Sequence, residues 1–255
     1  MNNISKNKSG FTIEDYRSML LSFIDEGYDF AFFESAIELL ENAEQFVLLR
    51  HDLDLSITRA LPLALVESDL GVKSTFFIRL RNGFYNPFNF EESKVIEELL
   101  DMGHRVGLHF DISKYQKNAS IDELARSCSR EREQLEKWFD INIEIISFHS
   151  PLPKHLKMST DATDGILHTY LPEYFERIFY CSDSTGQWRY GQPLESEAFM
   201  QKKPIHLLVH PIWWTSTVGD PQEILGEFLK EGSNSLKFEL DATLSLMKPT
   251  SFYYR

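Results

Sequence analysis

Short apolar runs recur along the chain at 46–49, 74–78, 105–108, 143–148, 178–181 and 205–209, and segments with helical spacing separate most of them. Parallel strands cannot be joined by a tight turn and need a crossover, usually a helix, so this alternation predicts an α/β fold with a parallel sheet. A closed or nearly closed β/α barrel accommodates 255 residues of this pattern more naturally than two small domains do. Six strands are legible, and the expectation is one barrel of six to eight strands, incomplete at the lower end.

Local signals sharpen the outline. Thr12 followed by Asp15 has the form of a capping box, and Tyr16, Met19, Leu20 and Phe23 come next at helical spacing up to Gly27. A helix over 56–70, closed by Gly71, contains Pro62, which removes a helix hydrogen bond and requires a kink or a later start. Further helices are expected over 91–102, over 120–139 behind Ser120 and Glu123, and over 221–231 and 233–247. No Pro/Gly/Ser linker, low-complexity tract or repeat divides the chain, so a single domain is expected over 1–255.

Composition removes several function classes. Hydrophobic residues at 42% supply a full core, and a net charge of −13 repels a phosphate backbone, so neither nucleic acid nor an anionic membrane is an expected partner. The longest apolar stretch, 60–66, is far shorter than the roughly 18 residues of a membrane span, and no membrane insertion is expected. The polar octapeptide at 1–8 lacks the apolar region of a secretory signal, and Cys128 and Cys181 form no Cys-x-x-Cys. The expectation is a cytoplasmic protein with two reduced, buried thiols.

The chemistry lies at the carboxyl ends of these runs. Arg50-His51-Asp52-Leu53-Asp54 ends the first, His109-Phe110-Asp111 the third, His149 the fourth, Asp183 the fifth and His210 the sixth. Strand carboxyl ends of a parallel barrel open onto one face, so Asp52, Asp54, His109, His149, Asp183 and His210 are expected to converge there. A lone His or Asp at a strand end is ordinarily a turn or cap residue, but five such ends among six runs are harder to dismiss. Imidazoles and carboxylates without a nearby cysteine suit Zn²⁺ or a similar divalent ion with a position open to water, which points to metal-assisted hydrolysis. His51 alternates with Asp52 and is expected on the opposite face, His104 is read as bonding backbone at the Gly103 turn, and His155, His168 and His206 as surface or packing residues. Ser93 and Ser184 lack a nucleophile-elbow pattern. Trp188, Trp213 and Trp214 are candidates to line the mouth, where indole faces suit the C–H faces of a sugar ring, with one of the adjacent pair alternatively core.

Taken in order, Arg50-His51-Asp52-Leu53-Asp54, the segment from Gly103 to His109, Phe148-His149-Ser150-Pro151, Asp183 with Trp188, and Leu207-Leu208-Val209-His210 resemble the motifs of the polysaccharide deacetylases, carbohydrate esterase family 4 or the NodB-homology domain. The likeness spans about 46–214, and the segment over about 1–45 looks like the helical extension of the divergent R-H-D-x-D branch, often linked to surface-glycan synthesis. The resemblance implies a distorted, incomplete (β/α) barrel of about seven parallel strands and a divalent metal, often zinc. It implies removal of an N-acetyl or, second, an O-acetyl group from a sugar. Carried over residue by residue, Asp52 takes the place of the general base and His210 that of the catalytic acid. Leu53 stands where a metal-binding Asp is expected, so Asp54 supplies that ligand shifted by one position. His109 matches the first His of the H-S/T-x-x-H motif, but Ser113 occupies the second, leaving His149 or Asp111 as the third ligand. Asp183 and Trp188 resemble the groove motif that orients the acid and the substrate.

The expected activity is therefore a metal-dependent carbohydrate deacetylase acting on a surface-glycan precursor. Its metal is held by Asp54, His109 and His149, its catalytic residues are Asp52 and His210, and its substrate contacts come from Asp111, Asp183, Trp188, Trp213 and Trp214. Two alternatives stand beside it: a degraded barrel that binds a glycan or nucleotide sugar without hydrolysis, favoured by Ser113, and a metal-dependent hydrolase of another amide.

Overall fold

A computed structural model describes residues 10–115 and 119–246; the octapeptide at 1–8 and Met247 lie outside the described residues. The chain runs α1 (Ile13–Asp25), β1 (Asp29–Ala31), α2 (Ala36–Glu41), β2 (Phe46–Leu53), α3 (Leu61–Asp69), β3 (Thr75–Ile78), α4 (Phe90–Asp101), β4 (Arg105–Phe110), α5 (Ile121–Phe139), β5 (Ile145–Phe148), β6 (Leu167–His168), α6 (Pro172–Phe175), β7 (Phe179–Ser182), α7 (Glu197–Met200), β8 (Ile205–Val209) and α8 (Pro221–Leu246).

All strand pairs are parallel, in the order β6-β5-β4-β3-β2-β8-β7, with β1 added beside the first half of β2. Seven strands curl into a half-barrel whose end strands, β6 and β7, do not pair, so the barrel is incomplete. Every residue of β2 is buried, as expected for a central parallel strand covered on both faces. Its Val47 and Leu49 join α1 and β8 in an outer apolar layer, whereas Phe46 and Leu48 pack with Phe33, Phe77 and Tyr174 in the barrel floor. A Cβ on Gly107 would lie 2.5 Å from the Phe77 ring, so the strand position opposite Phe77 has room only for glycine.

Most element boundaries agree with the sequence signals. Thr12 and Asp15 form the reciprocal capping box of α1, and the Ser120 hydroxyl accepts from the Glu123 amide at the start of α5. Pro62 produces the later start: residues 58–60 form a single 3₁₀ turn, and α3 begins at Leu61 with the proline in its first turn, where a missing N–H costs nothing. Three features differ from or add to the sequence reading. Gly232 does not divide the C-terminal segment, and α8 runs unbroken through it. Strands β1 and β6 went unforeseen because runs of three and two residues show no periodicity. Residues 29–31 make the N-terminal stretch part of the sheet and more than a helical extension, and α1 buries Tyr16, Met19, Leu20 and Phe23 against it. Cys128 and Cys181 are free and buried, and burial pushes both thiols up. No helix among the described residues is long and apolar enough to cross a membrane.

Candidate active site

Strand alternation builds the site in layers. Leu48 belongs to the floor, Arg50 lies above it, then Asp52, and Asp54 stands one residue past the end of β2. Asp54 Oδ1 lies 3.0 Å from Nε2 of His109, on β4, and 2.9 Å from Nδ1 of His149, just past β5. The two imidazole nitrogens are 3.3 Å apart. Among the described residues this is the group of His, Asp, Glu and Cys whose ligand atoms all fall within 4.8 Å of one another. A tetrahedral ion bonded at about 2.0–2.1 Å separates its donors by roughly 3.3 Å. One carboxylate and two imidazoles with these spacings therefore fit a divalent ion, with a further position open to the cleft.

The candidate ligands are held from behind. The register places His109 opposite Ser147, and His109 Nδ1 lies 2.6 Å from Ser147 Oγ, which directs Nε2 toward Asp54. Burial raises the Asp54 carboxyl, but the His109 and His149 hydrogen bonds outweigh it and hold the group well below its ordinary range.

Two ion pairs flank the triad. The Arg50 guanidinium grips Asp52 with two bonds, Nε to Oδ1 at 2.9 Å and Nη2 to Oδ2 at 2.7 Å. Arg50 is itself fixed by Thr169 Oγ1 at 2.7 Å and lies over the Phe77 and Tyr170 rings at 5.4 Å from each centroid. Burial works to raise Asp52, but Arg50 and then His109 keep it ionised. Across the site, His210 Nδ1 lies 2.6 Å from Asp183 Oδ1, and its backbone N–H donates to both Asp183 oxygens at 3.0 Å. Trp214 Nε1–H completes the set at 2.8 Å from Asp183 Oδ2. Burial pulls the His210 imidazolium down, but the Asp183 carboxylate, aided by Asp54 and Asp52, lifts it to about 9. A protonated His210 with its Nδ1 committed to Asp183 leaves Nε2–H, 3.8 Å from Asp54 Oδ2, to serve the cleft.

The cleft over these groups measures about 590 Å³, and Asp52, Asp54, His109, His149, His210 and Trp213 line it. Four expected substrate contacts lie elsewhere. Trp188 turns onto Phe11 and Trp214, with ring centroids 5.5 and 6.2 Å away, and faces a separate groove of about 940 Å³ beside α1. Thr185 and Gly186, both at positive φ, turn the chain between Asp183 and Trp188 and account for that direction. Trp214 and Asp183 are buried and position His210, while Asp111 pairs with Arg79 Nη2 at 2.8 Å and accepts from Ser113 Oγ at 2.5 Å. Neither Asp111 nor Ser113 joins the group of Asp54, His109 and His149. Arg50, Arg79 and Ser147 were not singled out from sequence; only Arg50 carried a signal, its position two residues before Asp52 on the same strand face.

The other histidines are buried and bonded. His51 lies on the face opposite Asp52, 2.7 Å from Glu67 Oε1. His104 Nδ1 meets Ser74 Oγ at 3.1 Å. His155, His168 and His206 bond backbone groups of Leu152, Met158 and Tyr174. Ser93 donates to the Pro87 carbonyl and Ser184 pairs with Ser182, so no Ser/His couple forms at either.

No protein-family description and no curated protein matches the sequence. Solved structures do. One is the Streptococcus pyogenes deacetylase PplD in complex with acetate, at 16% identity and TM-score 0.47 over 84% of this chain and 85% of that one. Another is the wild-type CE4 family pseudoenzyme BA3943 from Bacillus anthracis, at 15% identity and TM-score 0.43 over 75% and 62%. A third is a family 4 carbohydrate esterase from Streptomyces lividans in complex with acetate, at 16% identity and TM-score 0.43 over 74% and 91%. These neighbours are carbohydrate esterase family 4 proteins and deacetylases. The chain spans 64% and 62% of the first two structures it matches, a BA3943 mutant with restored enzymatic activity and the wild type.

Proposed function

We propose that the protein is a metal-dependent hydrolase that removes an acetyl group, preferentially from an amide nitrogen, of a sugar in a glycan precursor. The observation that carries the reading is the convergence of Asp54, His109 and His149 on one point between an ionised Asp52 and a protonated His210. The sugar itself comes from the sequence resemblance, and Trp213 at the cleft wall suits it. Asp54, His109 and His149 would hold the ion, for which zinc is the first candidate. When bound, a divalent ion supplies Lewis acidity and lowers the pKa of an attached water to about 7.

The chain's own groups perform the proton steps. Asp52 is ionised, and lone pairs left free beside the Arg50 fork accept the proton of the attacking water. Arg50 keeps the carboxylate oriented into the cleft. His210, held by Asp183, delivers its Nε2 proton to the departing amine or hydroxyl. Asp183 receives three further donor contacts in a buried pocket, so its oxygens are fixed and His210 keeps its orientation through the cycle.

A panel of N-acetylated and O-acetylated sugars, assayed for acetate release before and after exhaustive chelation, tests this reading. Activity is expected to vanish on chelation and return with one equivalent of divalent ion; full activity without metal refutes it. A second reading, a cleft that binds a glycan without hydrolysis, is favoured by Ser113, whose hydroxyl closes on Asp111 and adds nothing to the triad. Native protein that contains no metal yet binds a sugar supports that reading. Release of a formyl or ring-amide product in place of acetate supports an amide hydrolase of another kind.

A further inference from the structure

We propose that Arg79 is a latch on the third ligand, holding His149 in the tautomer that cannot bind a cation and thereby setting the metal affinity of this chain. The inference rests on Asp54, His109 and His149 being the metal-holding set. Arg79 comes directly after β3 and is nearly buried at 8% exposure. Its backbone N–H donates to Tyr85 Oη at 2.9 Å, and that hydroxyl donates to the Leu53 carbonyl at 2.6 Å, so the root of the side chain is tied to the residue beside Asp54. The guanidinium then forks: Nη2 reaches Asp111 Oδ2 at 2.8 Å and Nη1 reaches His149 Nε2 at 3.3 Å.

A guanidinium has donors only and stays protonated, so the bond to His149 has one polarity: Nε2 accepts. A neutral imidazole that accepts at Nε2 carries its proton on Nδ1. Nδ1 is the atom 2.9 Å from Asp54 Oδ1, and there it donates to the carboxylate. A metal requires the Nδ1 lone pair. Freeing it by tautomerisation moves the proton to Nε2, where it would face the Arg79 N–H, donor against donor. Metal uptake through His149 therefore requires Arg79 to leave Nε2. His109 differs: Ser147 Oγ, 2.6 Å from its Nδ1, can accept a proton there, and no cationic donor faces its Nε2, so no latch opposes metal uptake at that atom. Asp111 anchors the latch on its far side and is itself fixed by Ser113.

The test is titration of the metal-free full chain with Co²⁺, followed by calorimetry and by the visible absorption of the bound ion. The variants are Arg79→Lys, His149→Ala and the two together. Lysine keeps a cation against Asp111 but cannot fork to both partners. Arg79→Lys is expected to tighten Co²⁺ binding at least tenfold and to intensify the visible band as a nitrogen ligand is gained. In the double variant that gain disappears. Should Arg79→Lys fail to fold, Arg79→Gln combined with Asp111→Asn, which removes both charges of the pair, is measured in the same way. Equal affinity of wild type and Arg79→Lys overturns the latch while leaving the metal site standing. A gain that persists without His149 overturns it too, since it would report a charge effect alone. Absence of Co²⁺ binding in every variant overturns both the latch and the metal-site reading.

Discussion

Two clusters of one carboxylate and two histidines flank β2, and they behave differently. On the inner side Asp54 meets His109 and His149; on the outer side Glu67 of α3 meets His51 and His104. Glu67 is sealed and saturated. Its Oε1 receives Tyr16 Oη at 2.5 Å and His51 Nε2 at 2.7 Å, and its Oε2 receives Ser74 Oγ at 2.5 Å with His104 Nδ1 at 3.5 Å. Asp54 keeps 24% of its side chain exposed, and its Oδ2 has His210 Nε2 no nearer than 3.8 Å. Residue types alone do not separate the two sets. Unused coordinating capacity facing a cleft does, and it makes the inner set a candidate site while the outer set ties α1 and α3 to the sheet.

That contrast breaks first at His109. His109→Ala is expected to abolish both metal uptake and acetate release while leaving the melting temperature of the metal-free protein nearly unchanged, checked by metal analysis, turnover and thermal unfolding. Full activity in this variant would place the chemistry elsewhere. Glu67→Gln is expected to do the reverse. It replaces one of the two accepting oxygens by an NH₂ group that opposes the buried donors on that side, a loss of about 1–3 kcal/mol for an unsatisfied buried group. Urea unfolding measures it, and metal content should not change in the fraction that stays folded.

The parallel half-barrel and most of the inner set were legible because each depends on local pattern. Apolar runs fix where strands end, and parallel topology brings their carboxyl ends to one rim, so Asp52, Asp54, His109, His149 and His210 could be placed together without any coordinates. The residues that escaped depend on register and loop path. Ser147 meets His109 across 38 residues of chain only because β4 and β5 pair in one particular register. Arg79 stands just past a strand whose apolar run gives no sign that a side chain reaching His149 and Asp111 comes next. Trp188 was expected in the cleft on sequence proximity to Asp183, yet the positive-φ turn at Thr185 and Gly186 sends it into the neighbouring groove. The outer cluster escaped for a related reason: Glu67 lies on a helix whose apolar stripe hides a single inward carboxylate among Leu63, Ala64 and their neighbours.

The acid side of the cleft adds a dependence on pH. His210 stands at about 9 in the folded protein, raised above its ordinary value by Asp183. A raised histidine stabilises the fold fully below its unfolded pKa of about 6.5, and the contribution is lost as pH rises through the folded value. In metal-free protein, the stability gap between wild type and Asp183→Asn is therefore expected to be largest below about pH 6.5 and to shrink by about 3 kcal/mol as pH rises past 9. Unfolding curves across that range check it; a gap that does not vary with pH would remove the ion pair from the account of the acid.

The smallest effect is expected at Ser147→Ala, and it separates metal tuning from metal holding. Ser147 is fully buried, and its hydroxyl meets His109 Nδ1 at 2.6 Å. Removing the hydroxyl leaves every ligand atom in place but frees the imidazole to rotate and takes away the acceptor for its Nδ1 proton. Loss of such a supporting partner lowers metal affinity by about 10–100-fold. Calorimetric zinc titration of the variant should show that drop with one equivalent still bound at saturation, and saturating zinc should restore most of the turnover. An unchanged dissociation constant would mean that the strand register alone orients His109, and that the bond to Ser147 only satisfies two buried polar groups, as the bonds around Glu67 do.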